Sequence, residues 1–225
     1  MKINSIFKSI NGEVNYFHQG SICTFIRLQG CNLKCGYCDT VYARDFEQGQ
    51  DMCVDEVIAA VRKLKCNNIT ITGGEPLVQR VELIELIKKL FYTSHTVSVE
   101  TNGSILIPFE ICKEAHWVID YKGFSSEMED KMKMENFLWS GFGDVIKFVI
   151  KDQRDFDKAC FIIDDICKGK TYSEHPIYAF SPVFDKTNNI GEDPAFLVNM
   201  LKEKEEYGHL RIVLSLQLHK IINVA

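Results

Sequence analysis

The sequence predicts an α/β fold: a partial, open TIM-like barrel of parallel strands with helices on the outside. Three observations predict it. Short β-rich runs alternate with segments of helical period, the pattern of parallel strands joined by right-handed helical crossovers. The strand–helix units number fewer than eight, and 225 residues are fewer than a usual complete barrel holds. Turns that can carry chemistry follow the strands, where a barrel or open α/β sheet places its site. No linker rich in Pro, Gly or Ser and no internal repeat divides the chain, so one domain over residues 1–225 is expected.

Lys2 to Ile6 reads as a short strand, followed by the polar turn Asn11-Gly12-Glu13. Ile22 to Leu28 is a β-rich run that leads through Gln29-Gly30 into a cysteine loop. Val54 to Leu64 has helical spacing, with Asp55 and Glu56 in the first turn, where the helix dipole favours acids. The strand Asn68 to Thr72 ends in Gly73-Gly74-Glu75-Pro76, and Val81 to Phe91 is the next amphipathic helix. Thr96 to Glu100 is a strand closed by Thr101-Asn102-Gly103-Ser104. Pro108 to Glu114 reads as a short helix and Trp117 to Tyr121 as a strand. The charged, Met-rich stretch Ser125 to Phe137 reads as a helix with solvated faces. The chain then alternates strand Asp144 to Ile150, helix Arg154 to Cys167 and strand Ile177 to Phe180, which ends at Ser181-Pro182. Helix Pro194 to Glu206 and strand Arg211 to Leu216 precede a tail through Gln217, His219 and Lys220 to Ala225.

Net charge is −5 and no Lys/Arg-rich run occurs, so no nucleic-acid partner is expected. No apolar stretch is long enough for a bilayer, and Met1 to Phe7 lacks a signal-peptide pattern; no membrane partner and a cytoplasmic location are expected. Nine cysteines, an odd number, suit a reducing compartment better than a disulfide framework. Cys23, Cys53, Cys66, Cys112, Cys160 and Cys167 lie among apolar residues and read as core packing.

The other three, Cys31, Cys35 and Cys38, stand at spacing C-x3-C-x2-C in one short loop, with Tyr37 before the last. Thiolates are soft ligands suited to an iron–sulfur cluster or to zinc. Three of them leave one position of a four-iron cluster open to a small molecule. A zinc loop with its fourth ligand elsewhere is the plainer alternative. Other residues gain meaning beside this loop. Gly73-Gly74 permits close backbone approach, or is only a turn. Glu100 and Asn102 suit ribose hydroxyls, or Asn102 merely closes an Asx turn. Arg27 offers a planar fork for a carboxylate, or a surface ion pair. Thr40 is a hard oxygen donor of the kind magnesium accepts, or a helix N-cap.

The cysteine spacing, with an aromatic before its third cysteine, resembles the signature of radical S-adenosylmethionine (SAM) enzymes. Within them the chain resembles the 7-carboxy-7-deazaguanine synthases over most of its length, from Ile10 to Ala225. The resemblance implies a [4Fe-4S] cluster on Cys31, Cys35 and Cys38, SAM on its open iron, and Mg2+ on Thr40. It implies SAM contacts from Tyr37, Cys38, Asp39, Gly74, Glu75, Glu100 and Asn102. Asp120, Tyr121 and Lys122, with Ser181, Pro182, Val183 and Phe184, fall where the family also touches SAM. Ile10, Asn11, Gly12, Glu13, Arg27, Thr72, His219 and Ala225 match the substrate side. The implied reaction is radical ring contraction of 6-carboxy-5,6,7,8-tetrahydropterin, with loss of ammonia, on the route to queuosine and other 7-deazapurines. A flavodoxin-like electron donor and a homodimer are implied with it. Asn11 and Val14 depart from the expected Gln and Gly, Asp120-Tyr121-Lys122 from Ser-Pro-Lys, and Ala225 from a final proline. Two alternatives remain at this point: an activase that installs a glycyl radical on a partner protein, and a zinc-stabilised binding module.

Overall fold

The computed structural model describes residues 1–183 and 194–224. Its centre is a nine-stranded sheet in the order β3-β1-β2-β4-β5-β6-β7-β8-β9. The strands are β1 (Lys2–Ile10), β2 (Ile22–Leu28), β3 (Gln50–Asp51), β4 (Asn68–Gly73), β5 (Thr96–Thr101), β6 (His116–Tyr121), β7 (Val145–Ile150), β8 (Ile177–Pro182) and β9 (Ile212–Leu214). From β2 through β9 every neighbouring pair is parallel. β1 is antiparallel to both β2 and β3. Among the described residues the sheet therefore has two edges, β3 and β9, and does not close by strand pairing.

Helices α1 (Val54–Lys63), α2 (Arg80–Tyr92), α4 (Gln153–Cys167) and α5 (Pro194–Lys202) supply crossovers; α3 (Met134–Leu138) and α6 (Leu218–Ile221) are short. The apolar faces of the four longer helices pack on one side of the sheet. Val57 and Val61 of α1, Leu83 and Leu86 of α2, Phe156 and Ile163 of α4 and Leu197 of α5 join the alternate strand residues Ile69, Ile71, Val97, Val99, Trp117, Ile119, Ile146 and Phe148 in one core. Asp152 caps α4 by accepting hydrogen bonds from the amides of Arg154 and Asp155.

The intervening strand residues face the concave interior. Its lower layer is apolar: Val118, Val145 and Ala179 are buried together, with Val14, Ile177 and Val213 against them. Val14 belongs to the loop between β1 and β2, which crosses the gap that the strands leave open. The Val14 amide donates to Ser215 Oγ at 3.1 Å, the Leu218 amide to Gly12 O at 2.9 Å, and Gln19 Nε2 to Leu216 O. The loop thus joins the β2 side of the sheet to the segment after β9.

Three expectations need correction. β1 extends to Ile10 and pairs antiparallel, an addition to the parallel set. Residues 125–137 are not one helix: 3-10 turns at Phe124–Ser126 and Glu129–Lys131 precede α3. Their charges and methionines make no continuous apolar stripe, so tertiary bonds shape the segment instead; the Ser125 amide, for example, donates to the buried Asp155. Cys53 is exposed at the start of α1 rather than in the core, and Cys66, Cys112 and Cys167 are only partly buried; all nine cysteines are free thiols.

Candidate active site

A pocket opens at the C-terminal ends of the parallel strands and reaches down into the barrel interior. Its rim begins with the loop after β2, which brings Cys31, Cys35, Cys38, Tyr37, Asp39 and Thr40 to one wall. Burial pushes the thiols of Cys31 and Cys35 above the ordinary range, so each holds its proton until something stronger displaces it. Among the described residues no three His, Cys, Asp or Glu side chains are gathered as a single metal ion needs. A four-iron cluster asks for a wider triangle, because each thiolate meets a different iron.

Hydrogen bonds fix this loop to its neighbours. Asn102 Nδ2 donates to Asn32 Oδ1 at 3.1 Å and approaches Cys31 Sγ at 3.8 Å, while its Oδ1 accepts from the amide and hydroxyl of Ser104. Asn102 therefore closes an Asx turn and also faces the pocket. Glu75, fully buried, accepts from the Leu77 amide at 3.0 Å, Thr101 Oγ1 at 2.9 Å and the Asn102 amide at 2.6 Å. Burial raises its pKa against the pull of those three donors. Glu75 thus lies beneath the pocket, tying the ends of β4 and β5, and does not line it.

Gly73 and Gly74 are explained by protein packing. Gly73 has φ of +138°, and a Cβ there would lie 2.2 Å from Leu28 O. A Cβ on Gly74 would lie 2.1 Å from Gly30 O. The close approach is to the backbone that enters the cysteine loop, and Gly74 lines the pocket beside it.

Further round, Thr72 Oγ1 donates to Glu100 Oε2 at 2.7 Å, both side chains lining the pocket. Burial, reinforced by Glu13, raises the Glu100 pKa. Arg27 lies against two rings, 5.9 Å from the Phe7 centroid and 5.6 Å from Tyr42, and its charge offsets part of the Glu100 shift. Asp120 Oδ2 is 2.7 Å from Lys122 Nζ and 3.6 Å from Lys147 Nζ. The buried atoms Asp120 Oδ1 and Tyr37 Oη find no hydrogen-bond partner among the described residues. Ser181 and Pro182 complete that wall.

Loop and tail close the remaining side. Ile10, Gly12, Glu13 and His219 line it, and a Cβ on Gly12 would collide with the His219 ring. Gln217 Nε2 donates to Glu13 Oε1 at 2.6 Å, and Lys220 pairs with Asp39. Burial lowers the His219 pKa, partly offset by Glu13.

Four expectations do not reach the pocket and two lie outside the described residues. Asn11 is buried elsewhere, its Oδ1 accepting from Thr70 Oγ1 and Asn15 Nδ2 at 2.8 Å each. Tyr121 points into the helix-side core, because the pleat turns it away from Asp120 and Lys122. Glu75 is the third, and Val183, whose amide donates to Ile150 O, the fourth. Phe184 and Ala225 lie outside the described residues. Lys147 was missed. Its signal was available: one lysine within the apolar strand Val-Ile-Lys-Phe-Val-Ile. The ammonium is ion-paired with Glu13, and although burial opposes its charge, Glu13 and Asp120 hold its pKa above the ordinary range.

A family model for the radical SAM superfamily matches residues 25–136. A 7-carboxy-7-deazaguanine synthase from Clostridium acetobutylicum is 36% identical over 98% of this chain and 95% of that protein. The chain belongs to the 7-carboxy-7-deazaguanine synthase family of radical SAM enzymes. A synthase of the same name from Koribacter versatilis is 34% identical over 99% of this chain and 96% of its own. The crystal structure of QueE from Escherichia coli shares the fold, with TM-score 0.64, 19% identity, and coverage of 96% of this chain and 92% of that one. Streptococcus suis SuiB bound to S-adenosylmethionine matches 83% of this chain and 45% of its own, with TM-score 0.59 and 16% identity. Membership sets aside the zinc module and the glycyl-radical activase. No helix among the described residues is long and apolar enough to cross a membrane.

Proposed function

We propose that this chain converts 6-carboxy-5,6,7,8-tetrahydropterin to 7-carboxy-7-deazaguanine, releasing ammonia. One observation carries the reading beside the kinship. Three free thiols and the Arg27 guanidinium open on the same pocket, whose wall also holds buried polar atoms that find no partner among the described residues. The donor set fits a [4Fe-4S] cluster with SAM: three thiols for three irons, and Asp120 Oδ1 and Tyr37 Oη, which find no partner among the described residues, for a polar ligand. Cys31, Cys35 and Cys38 would hold the cluster. When bound there, the cluster with SAM would supply the radical hydrogen-abstraction chemistry.

The chain's own residues bind, orient and shield. Glu100, Asn102, Asp120 and Lys122 face the nucleoside side, with Ser181 and Pro182 closing it. Arg27 meets the substrate carboxylate with its planar fork. Thr40 is the proposed magnesium ligand, with Asp39 and Tyr37 beside it. Thr72, Glu13 and His219 complete the substrate side, and the β1–β2 loop with the C-terminal segment excludes water. Product and ammonia together contain the atoms of the substrate, so SAM is expected to be regenerated. The reading includes magnesium, a small flavodoxin-like electron donor, a cytoplasmic homodimer and a single domain.

The test is anaerobic turnover of cluster-reconstituted protein with SAM, reductant, magnesium and the pterin, with products read by mass spectrometry. More than one equivalent of 7-carboxy-7-deazaguanine per SAM consumed is expected. 5′-Deoxyadenosine without that product would overturn the substrate assignment and leave the radical SAM chemistry.

A further inference from the structure

The Lys147 ammonium occupies a position that the proposed ligand contacts do not explain. It projects from the interior face of β7, where its strand register sets it beside Asp120 of β6. Its immediate partners come from opposite sides of the pocket. Glu13 belongs to the loop that closes the substrate side, and Asp120 belongs to the wall assigned to the nucleoside. The pairing continues in both directions. Lys122 shares Asp120 Oδ2 at 2.7 Å. Glu13 accepts from Gln217, whose Oε1 accepts from Lys220, which in turn pairs with Asp39. One connected series of polar contacts therefore runs from Lys122 to Asp39 through Lys147. Lys147 itself is well shielded, with a side chain 13% exposed, as is Glu13 at 17%. Asp120 Oδ1 is buried and finds no hydrogen-bond partner among the described residues.

We propose that Lys147 is a positioning residue that couples the two ligands of this pocket: by holding Glu13 and Asp120 in register, it makes SAM and the pterin tighten each other's binding. The inference rests on the proposed function. Its physical basis is that each ligand restrains one end of the same series. The ligand that arrives first orders Lys147 and its carboxylates, and the second meets groups already fixed. Coupling of this kind is reciprocal: pterin must improve SAM affinity by the factor by which SAM improves pterin affinity. Without the ammonium, Glu13 and Asp120 lose their common partner, and the two sides respond to their ligands separately.

The experiment measures SAM dissociation constants by equilibrium dialysis against cluster-loaded protein, with magnesium and with the cluster left oxidised so that no turnover occurs. Each titration is run without and with saturating 6-carboxytetrahydropterin, for the parent, Lys147→Met and Lys147→Arg. The expected parent ratio is about ten, within the usual range of such couplings. Lys147→Met should bring the ratio below about two, and Lys147→Arg should restore most of it. A general loss of packing would weaken both titrations and leave their ratio in place. Should Lys147→Met not fold, Glu13→Gln with Lys147→Met removes one charge of each sign, and the same collapse of the ratio is expected. A parent ratio of one, or a Lys147→Met ratio equal to the parent's, overturns the inference. Failure of the parent to bind the pterin at all overturns the proposed function instead.

Discussion

The two faces of the same strands obey different physics. In β7, Ile146, Phe148 and Ile150 enter the helix-side core, each 4% exposed or less, while Lys147 and Val149 between them face the pocket. In β6, Trp117, Ile119 and Tyr121 are core, and Asp120 is pocket. One face is stabilised by removing apolar surface from water. The other confines Glu100, Lys122 and Lys147 where burial opposes charge, and Glu13 and Asp120 stand beside the two lysines as ion-pair partners. Adjacent residues thus divide folding from chemistry. Substitutions should sort by face rather than by distance from the cysteines.

The largest effect on stability is expected from Phe148→Ala. Its ring is 2% exposed and lies 5.4 Å from the Phe180 centroid, so truncation should cost about 3–5 kcal/mol in urea unfolding. Arg27→Gln, on the opposite face, should cost at most about 1 kcal/mol, the scale of its ring contacts. Pterin affinity should move the other way, falling with Arg27→Gln and holding in folded Phe148→Ala. Equal destabilisation by both would dissolve the distinction. Next is Glu75→Gln, beneath the pocket. All three groups around this carboxylate are donors, so a glutamine must turn its own NH2 toward one of them. A loss of about 1–3 kcal/mol in thermal unfolding is expected, with a lower cluster content on reconstitution. An unchanged melting temperature would show that Glu75 does not tie the two loops.

The alternation of strands and helices was legible because apolar periodicity reports which residues leave water, and the helix side is made chiefly by that force. The interior was legible only through motifs. The cysteine loop and Gly73-Gly74 announced themselves locally, though the glycines prove to accommodate Leu28 and Gly30 rather than a ligand alone. Tyr121 was misplaced despite an available rule: flanking Asp120 and Lys122 cannot share its face. Asn11 was misplaced because its partners, Thr70 and Asn15, come from a strand far along the chain and from within its own loop. Lys147 escaped because its partners lie in Glu13 and Asp120, and no local pattern joins the three.

A smaller effect should come from pH. His175 is buried, with Nδ1 3.1 Å from Tyr178 Oη, and burial, helped by Lys170, lowers its pKa. Above about pH 6.5 the ring is neutral in both folded and unfolded chains. As pH falls below that, the unfolded chain takes up a proton that the folded one resists, so stability declines until the folded pKa is passed. Urea titrations at pH 7.5 and 5.5 should show a loss on the order of 1 kcal/mol, reduced in His175→Gln. His116, lowered by burial in the same way, leaves a residual slope. An unaltered pH dependence in His175→Gln would remove His175 from this account.

The smallest stability change, and the sharpest test of the pocket face, belongs to Thr40→Ala. Thr40 stands at the N-terminal edge of a 3-10 turn, Val41–Ala43, but its side chain makes no capping bond there. Its Oγ1 instead lies 3.8 Å from Cys38 Sγ on the pocket wall. Losing a cap usually costs about 1 kcal/mol, so a residue acting as one should show that loss. Here the expected change in unfolding free energy is within about 0.5 kcal/mol, the range of substitutions that remove neither a cap nor buried packing. Iron and sulfide content should match the parent, since the three cysteines are untouched. The response to added magnesium should fall, because a magnesium ion with few protein ligands depends heavily on each. Parent-like magnesium response with parent-like stability would leave the hydroxyl without a role in metal binding. A full capping loss would instead return Thr40 to the folding side of the division.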